Sequence, residues 1–94
     1  MITPKEFIFE WFNDIIKYFN NIDITINYKL KSTTNTHIIE ILPTDFYVTN
    51  EEYLRAESEF ESEFNRIYPD ENILFISTNS LTKIGKPDCT FKRN

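Results

Sequence analysis

Glu57 and Glu61 are the two residues of this 94-residue chain whose type and spacing best suit acid–base chemistry. On a helix, carboxylates at i and i+4 lie one above the other. A helical wheel also puts Glu57 between Phe64 and Tyr68, inside an apolar stripe. Two carboxyls against aromatic surface could share a proton or hold a cation, with one of them titrating above its ordinary range. The commoner outcome is plainer: both stems follow the edge of the stripe and both heads reach water.

His37 is the sole histidine and stands at the start of a strand-like run, a position from which a general base can act. Its conceivable nucleophile is Cys89, or else Ser77 or Ser80 with a carboxylate such as Asp45. No motif ties these groups together, so a hydrogen-bonded structural histidine is the simpler expectation. Tyr68 completes a possible ligand or proton site of Glu57, Glu61, Tyr68 and His37. Cys89 lies between Lys86 and Lys92, where nearby cations favour a thiolate.

Other chemistries are ruled out by composition. A single glycine, Gly85, cannot build a phosphate-cradling loop or a dinucleotide-binding turn, since both need several glycines. One histidine and one cysteine, 52 positions apart, show no zinc-ligand spacing. Neither a metal nor a cofactor is therefore expected, and the chain reads more readily as a non-enzyme. A lone cysteine points to a reducing compartment, and no apolar run approaches the ~20 residues of a membrane span. With no visible signal sequence, the expected location is cytoplasmic.

Length sets one domain over residues 1–94. Thr3-Pro4-Lys5-Glu6 is a capping box with proline at the first helical position, and it predicts a helix over 4–20. Ile22 to Leu30 alternates apolar and polar residues, the signature of a strand with one buried face. A polar loop, 31–36, leads to a second, antiparallel strand from His37 to Leu42, ended by Pro43. Thr49-Asn50-Glu51-Glu52 predicts a capping box for a second helix over 50–68, stopped by Pro69. Ile73 to Ile76 reads as a short strand covered on both faces or paired on both edges. Residues 78–94 are expected to be largely irregular, with Leu81 and Ile84 in one helical turn and Thr90-Phe91-Lys92 as a short edge strand or frayed end.

The predicted fold is α/β (α+β): order α-β-β-α-β with a short C-terminal strand, both helices on one face of a small mixed sheet in a two-layer sandwich. Strand order 2-1-3 is preferred, with 1-2-3 as the alternative. On the first helix, Phe9 and Ile16 widen the apolar stripe to an arc of roughly 200°, about twice what one sheet covers. Either residues 81–91 fold back over them or another chain does, the latter giving a homodimer.

Charge is unevenly spread. Residues 45–71 carry nine acids and two bases, whereas residues 72–94 carry one acid and four bases, within a net charge of −5. An acidic block repels phosphate backbones and attracts cations, so no direct nucleic-acid binding and no membrane binding are expected. The basic tail is expected to dock against the acidic helix. The functional expectation is a small acidic intracellular module that binds a basic partner protein, in the manner of an inhibitor, immunity protein or adaptor. Its binding residues would be Phe9, Ile16, Glu59 and Glu63. The alternatives are a small-ligand domain or enzyme built on the second helix's carboxylates, and a structural homodimer through the first helix.

Overall fold

A computed structural model describes residues 2–77 and 83–93. Helix α1 (Pro4–Tyr18) starts as the capping box requires: the Glu6 amide donates to Thr3 Oγ1 at 3.1 Å, and the Thr3 amide donates to Glu6 Oε1 at 3.2 Å. At its other end the last carbonyls have no helical partner. Arg93 supplies one, donating from one guanidinium nitrogen to the carbonyls of Phe19 at 3.0 Å and Ile22 at 2.7 Å.

Strands β1 (Thr25–Lys31) and β2 (Thr36–Leu42) form the predicted antiparallel hairpin, with Leu30 opposite His37 and Tyr28 opposite Ile39. The predicted loop is shorter than six residues because both strands extend into it. Pro43 ends β2 and opens a six-residue helix that the sequence did not signal, α2 (Thr44–Thr49). Helix α3 (Glu51–Ile67) follows. Its cap is Asn50, whose side chain accepts the Tyr53 amide at 2.9 Å. The expected Thr49 capping box is replaced because Thr49 belongs to α2 and donates its hydroxyl to the Asp45 carbonyl.

After α3 come β3 (Asn72–Ile76), parallel to β2, and β4 (Cys89–Lys92), antiparallel to β1. The sheet order is β3-β2-β1-β4, so the preferred 2-1-3 arrangement is corrected to 1-2-3. The connection through α2 and α3 pairs the two strands that it joins, as a βαβ unit does. The outer edge of β1 goes to β4 instead. The position of β3 is corrected too: it is an edge strand, and Leu74 on its outer face is 39% exposed.

Helices α1 and α3 cover the same sheet face. Tyr28, Ile26, Ile39 and Ile41 on that face are fully buried beneath Ile8, Phe12 and Phe64. Aromatic rings fill the layer between helices and sheet. Trp11 stacks on Phe60 with ring centres 4.4 Å apart, and Phe7 stacks on the other side of the same neighbourhood at 5.4 Å. The wide arc of α1 is thereby accounted for within the chain: α3 takes the Phe7–Trp11 flank, and β4 takes the Phe9 flank, Phe9 lying 4.7 Å from Phe91. On the opposite sheet face a small separate cluster joins Ile38, Ile76 and Ile84. The expected helical turn at Leu81 lies outside the described residues.

Candidate functional site

A groove of about 340 Å³ lies between α1 and α3. Ile15, Phe19 and Ala56 give it an apolar floor, and Asp14, Glu52 and Glu59 stand around it. Ala56 is a small side chain on α3 between the larger buried Tyr53 and Phe60, and it leaves room beside them. Arg55 adds one cation to the rim. Tyr18, 65% exposed, donates its hydroxyl to the Glu52 carboxylate across the groove. That hydrogen bond, together with the carboxylate's charge, raises the tyrosine's pKa. Of the sequence-predicted binding residues, Glu59 lines this groove. Glu63 lies one turn further on and pairs with Arg66, which lowers its pKa.

Phe9 and Ile16 do not lie on a free surface. Ile16 is 9% exposed and belongs to the core, and Phe9 is half-buried among Phe12, Tyr28 and Phe91. Their role as external anchors, and the dimer seal through them, are corrected by the return of β4.

Glu57 projects toward α2, where it meets two tyrosines. Tyr53 donates to it at 3.0 Å, and the Tyr47 hydroxyl bonds to it as well. Burial pushes its carboxyl up to about 7, and the charge of Glu61 adds to that, while the two hydroxyls act in the opposite sense. The phenols respond in kind. Burial pushes Tyr47 to about 12, with help from Glu57 and Glu61, and burial likewise raises Tyr53 strongly, with Glu57 and Tyr47 adding to it. The cluster is a protonatable carboxyl held between two helices, with a second carboxyl beside it.

His37 sits elsewhere, inside the sheet–helix interface and only 3% exposed. Its Nδ1 lies 2.6 Å from the Tyr28 hydroxyl, and its Nε2 lies 2.6 Å from Glu71 Oε1. An ionised carboxylate only accepts, so in the neutral imidazole Nε2 carries the hydrogen and Nδ1 accepts from Tyr28. Burial is the main cause of the raised pKa of Tyr28, with the charges of Asp88, Cys89 and Glu71 behind it. Both ring nitrogens are engaged, so the histidine has no free position for a substrate. It fastens the turn after α3 to the hairpin.

Tyr68 donates to the Ile2 carbonyl at 2.9 Å and packs on Phe7 and Phe64. Cys89 is half-buried on β4, and β1 separates it from His37 on β2, a gap of about 10 Å at ordinary strand spacing. The four residues Glu57, Glu61, Tyr68 and His37 therefore do not converge. Glu57 is also seven residues from Phe64, the neighbour that His37 and Tyr68 share, or about 10 Å along the helix. Among the described residues no group of three or more His, Cys, Asp and Glu is arranged to hold a metal ion, and no helix is long and apolar enough to cross a membrane.

Two of the four tail cations are placed away from α3. Arg93 is spent on the carbonyls behind α1, and Lys83 lies beside Ile38 on the opposite sheet face. The expected docking of the tail onto the acidic helix is thus corrected for both residues.

Sequence reasoning missed Tyr47, because α2 itself was missed, and it missed Tyr28 and Glu71 as partners of His37. The hairpin alternation carried a signal for Tyr28: at this register Tyr28 and His37 share a face. In comparisons with known proteins, no family model, no curated protein and no solved structure matches this chain.

Proposed function

We propose that this chain is a small acidic protein-interaction module whose α1–α3 face receives a basic segment of a partner protein. The observation that carries the reading is the groove itself: an apolar floor ringed by Asp14, Glu52 and Glu59, in a chain of net charge −5. Such a site offers what a lysine- or arginine-bearing segment needs, an apolar bed for the stem and carboxylates for the head. Exposed Tyr18 supplies an aromatic contact of the kind that dominates interface energetics. A partner that works on nucleic acid would present such a basic surface, which makes an inhibitor- or immunity-like role the natural form of this activity.

The test is affinity capture from the source cells with two baits, the unaltered chain and the Asp14→Lys/Glu59→Lys variant. Both substitutions are at exposed positions and leave the core intact. The expected result is a protein held by the first bait and lost by the second, and released as salt rises from about 0.1 M to 1 M, where the screening length falls from about 10 Å to about 3 Å. Identical sets of retained proteins on both baits would refute the reading.

A second reading, a small-ligand or acid–base site, is favoured by one observation, the Glu57 carboxyl poised near neutrality beside Glu61. It requires a ligand that alters the titration of Glu57. NMR titration of that carboxyl with and without cell metabolite extract decides between the two.

A further inference from the structure

The acids of the α1–α3 groove stand in a definite register. The two helices run antiparallel, since Phe7 packs on Tyr68 at one end and Tyr18 reaches Glu52 at the other. Glu52, beside Tyr18, marks one end of the groove. Glu59 stands seven residues further along α3, two turns or about 10 Å away. Asp14, one turn back from Tyr18 on α1, comes up on the Glu59 side. Between the two acidic ends lie Ile15 and Ala56.

Among the described residues none of these three carboxylates is in an ion pair. Glu52 accepts the Tyr18 hydroxyl, a neutral donor that leaves its charge in place. Arg55 is the cation among the lining residues, and Lys17, three positions after Asp14, does not line the groove. The lining therefore holds three acids against one base. One turn beyond Glu59 the series ends, because Glu63 is paired with Arg66. The uncompensated charge is confined to two turns of α3.

Resting on the protein-interaction reading, we infer that the segment this groove receives is an amphipathic helix with basic residues at positions i and i+7 and an apolar residue at i+3 or i+4. Helix residues seven apart share a face at a spacing of about 10 Å, so one base meets Glu52 while the other meets Glu59 and Asp14. The apolar residue between them lies over Ala56, whose small side chain leaves room for a larger one. An extended segment does not match. At about 3.3 Å per residue it covers this distance in three residues, and strand side chains three apart point to opposite faces. A second copy of this chain does not match either. The bases of α1 are Lys5 and Lys17, those of α3 are Arg55 and Arg66, and α2 has none, so no pair among them is seven apart. The occupant is a helix of a different protein.

Three alanine-based peptides of about 18 residues, long enough to form helix in isolation, are the probes. The first carries lysines at i and i+7 with leucines at i+3 and i+4. The second has the same composition with its lysines at i and i+5, on different faces, and the third is the first with a proline between the lysines. Each is titrated into the 94-residue chain at low salt and followed by amide NMR. The expected result is a saturable shift at residues 14–19 and 52–59, half complete at or below about 1 mM of the first peptide. The other two should bind about fivefold more weakly, the loss of one ion pair at the groove's edge. Asp14→Asn/Glu59→Gln should bring the first peptide down to the level of the second, and the comparison on the unaltered chain stands even if that variant fails to fold. Equal midpoints for all three peptides, each weakened by Asp14→Lys/Glu59→Lys, would overturn the helical register while leaving the basic-segment reading in place. Tightest binding by the proline peptide would overturn it in favour of an extended segment. No groove shifts with any peptide would overturn it as well, and capture with the two baits then decides the broader reading separately.

Discussion

The two faces of the sheet are built on different principles. Beneath α1 and α3, ring packs on ring, from Phe7 through Phe60, Trp11 and Phe12 to Phe91, and polar atoms enter only when fully bonded, as in Tyr28–His37–Glu71. On the other face three isoleucines make a small cluster, Leu74 remains exposed, and Asn27 links Glu40 to Thr90 across three strands. One face carries the cohesion of the fold, and the other is left accessible. With so thin a core, the chain cannot seal both faces, and it concentrates its aromatic area where two helices can share it.

The largest expected effect tests that division directly. Phe12→Ala removes a fully buried ring from the aromatic layer and should cost about 3–5 kcal/mol, whereas Ile76→Ala in the small cluster should cost about 2 kcal/mol. Urea unfolding with an unchanged slope measures both. Equal losses would show that the two faces contribute alike, and the contrast would fail.

A smaller effect sharpens the contrast for polar groups. Tyr28→Phe deletes the hydroxyl that satisfies His37 Nδ1, leaving a buried acceptor unmet, at a cost of about 1–3 kcal/mol. Asn27→Ala on the open face should cost no more than about 1 kcal/mol, because water can take over from the side chains it leaves. If Tyr28→Phe is neutral, the buried chain of hydrogen bonds is not what holds the turn after α3.

What could be read from the sequence follows the range of the interactions. The start of α1 was legible because Thr3 and Glu6 bond to each other within one turn, and β1 because alternation is a local pattern. Strand order was not, since a four-residue strand, Cys89–Lys92, claims an edge some sixty residues away in sequence. The apolar run Ile73–Ile76 looked like a central strand, yet it is an edge whose outer face is partly covered by Ile84. Glu57 stood out on the helical wheel. Its partner Tyr47 did not, because α2 is too short to show a helical period and its residues, Thr44 to Thr49, include β-branched types that favour strands.

Glu57 gives the smallest effect and the one with a definite sign. Its folded-state pKa, about 7, lies above the ordinary 4.5, so the folded protein holds a proton that the unfolded chain releases. Stability from this group is therefore fully present below about pH 4.5 and is lost as pH rises through 7. A shift of this size would be worth about 3 kcal/mol for a fully enclosed group, and because Glu57 is still partly open to water, screening leaves roughly 1 kcal/mol. Glu57→Gln replaces the carboxyl with a permanently neutral group that still accepts from Tyr53, so the variant's stability should stay flat where the parent's falls between about pH 5 and 7.5. Unfolding curves for the two proteins across that range decide the matter. A parent profile as flat as the variant's would mean that the tyrosine hydroxyls of α2 and α3 stabilise the charged carboxylate as well as water does, and Glu57 would then belong with the solvated glutamates of the outer helix face.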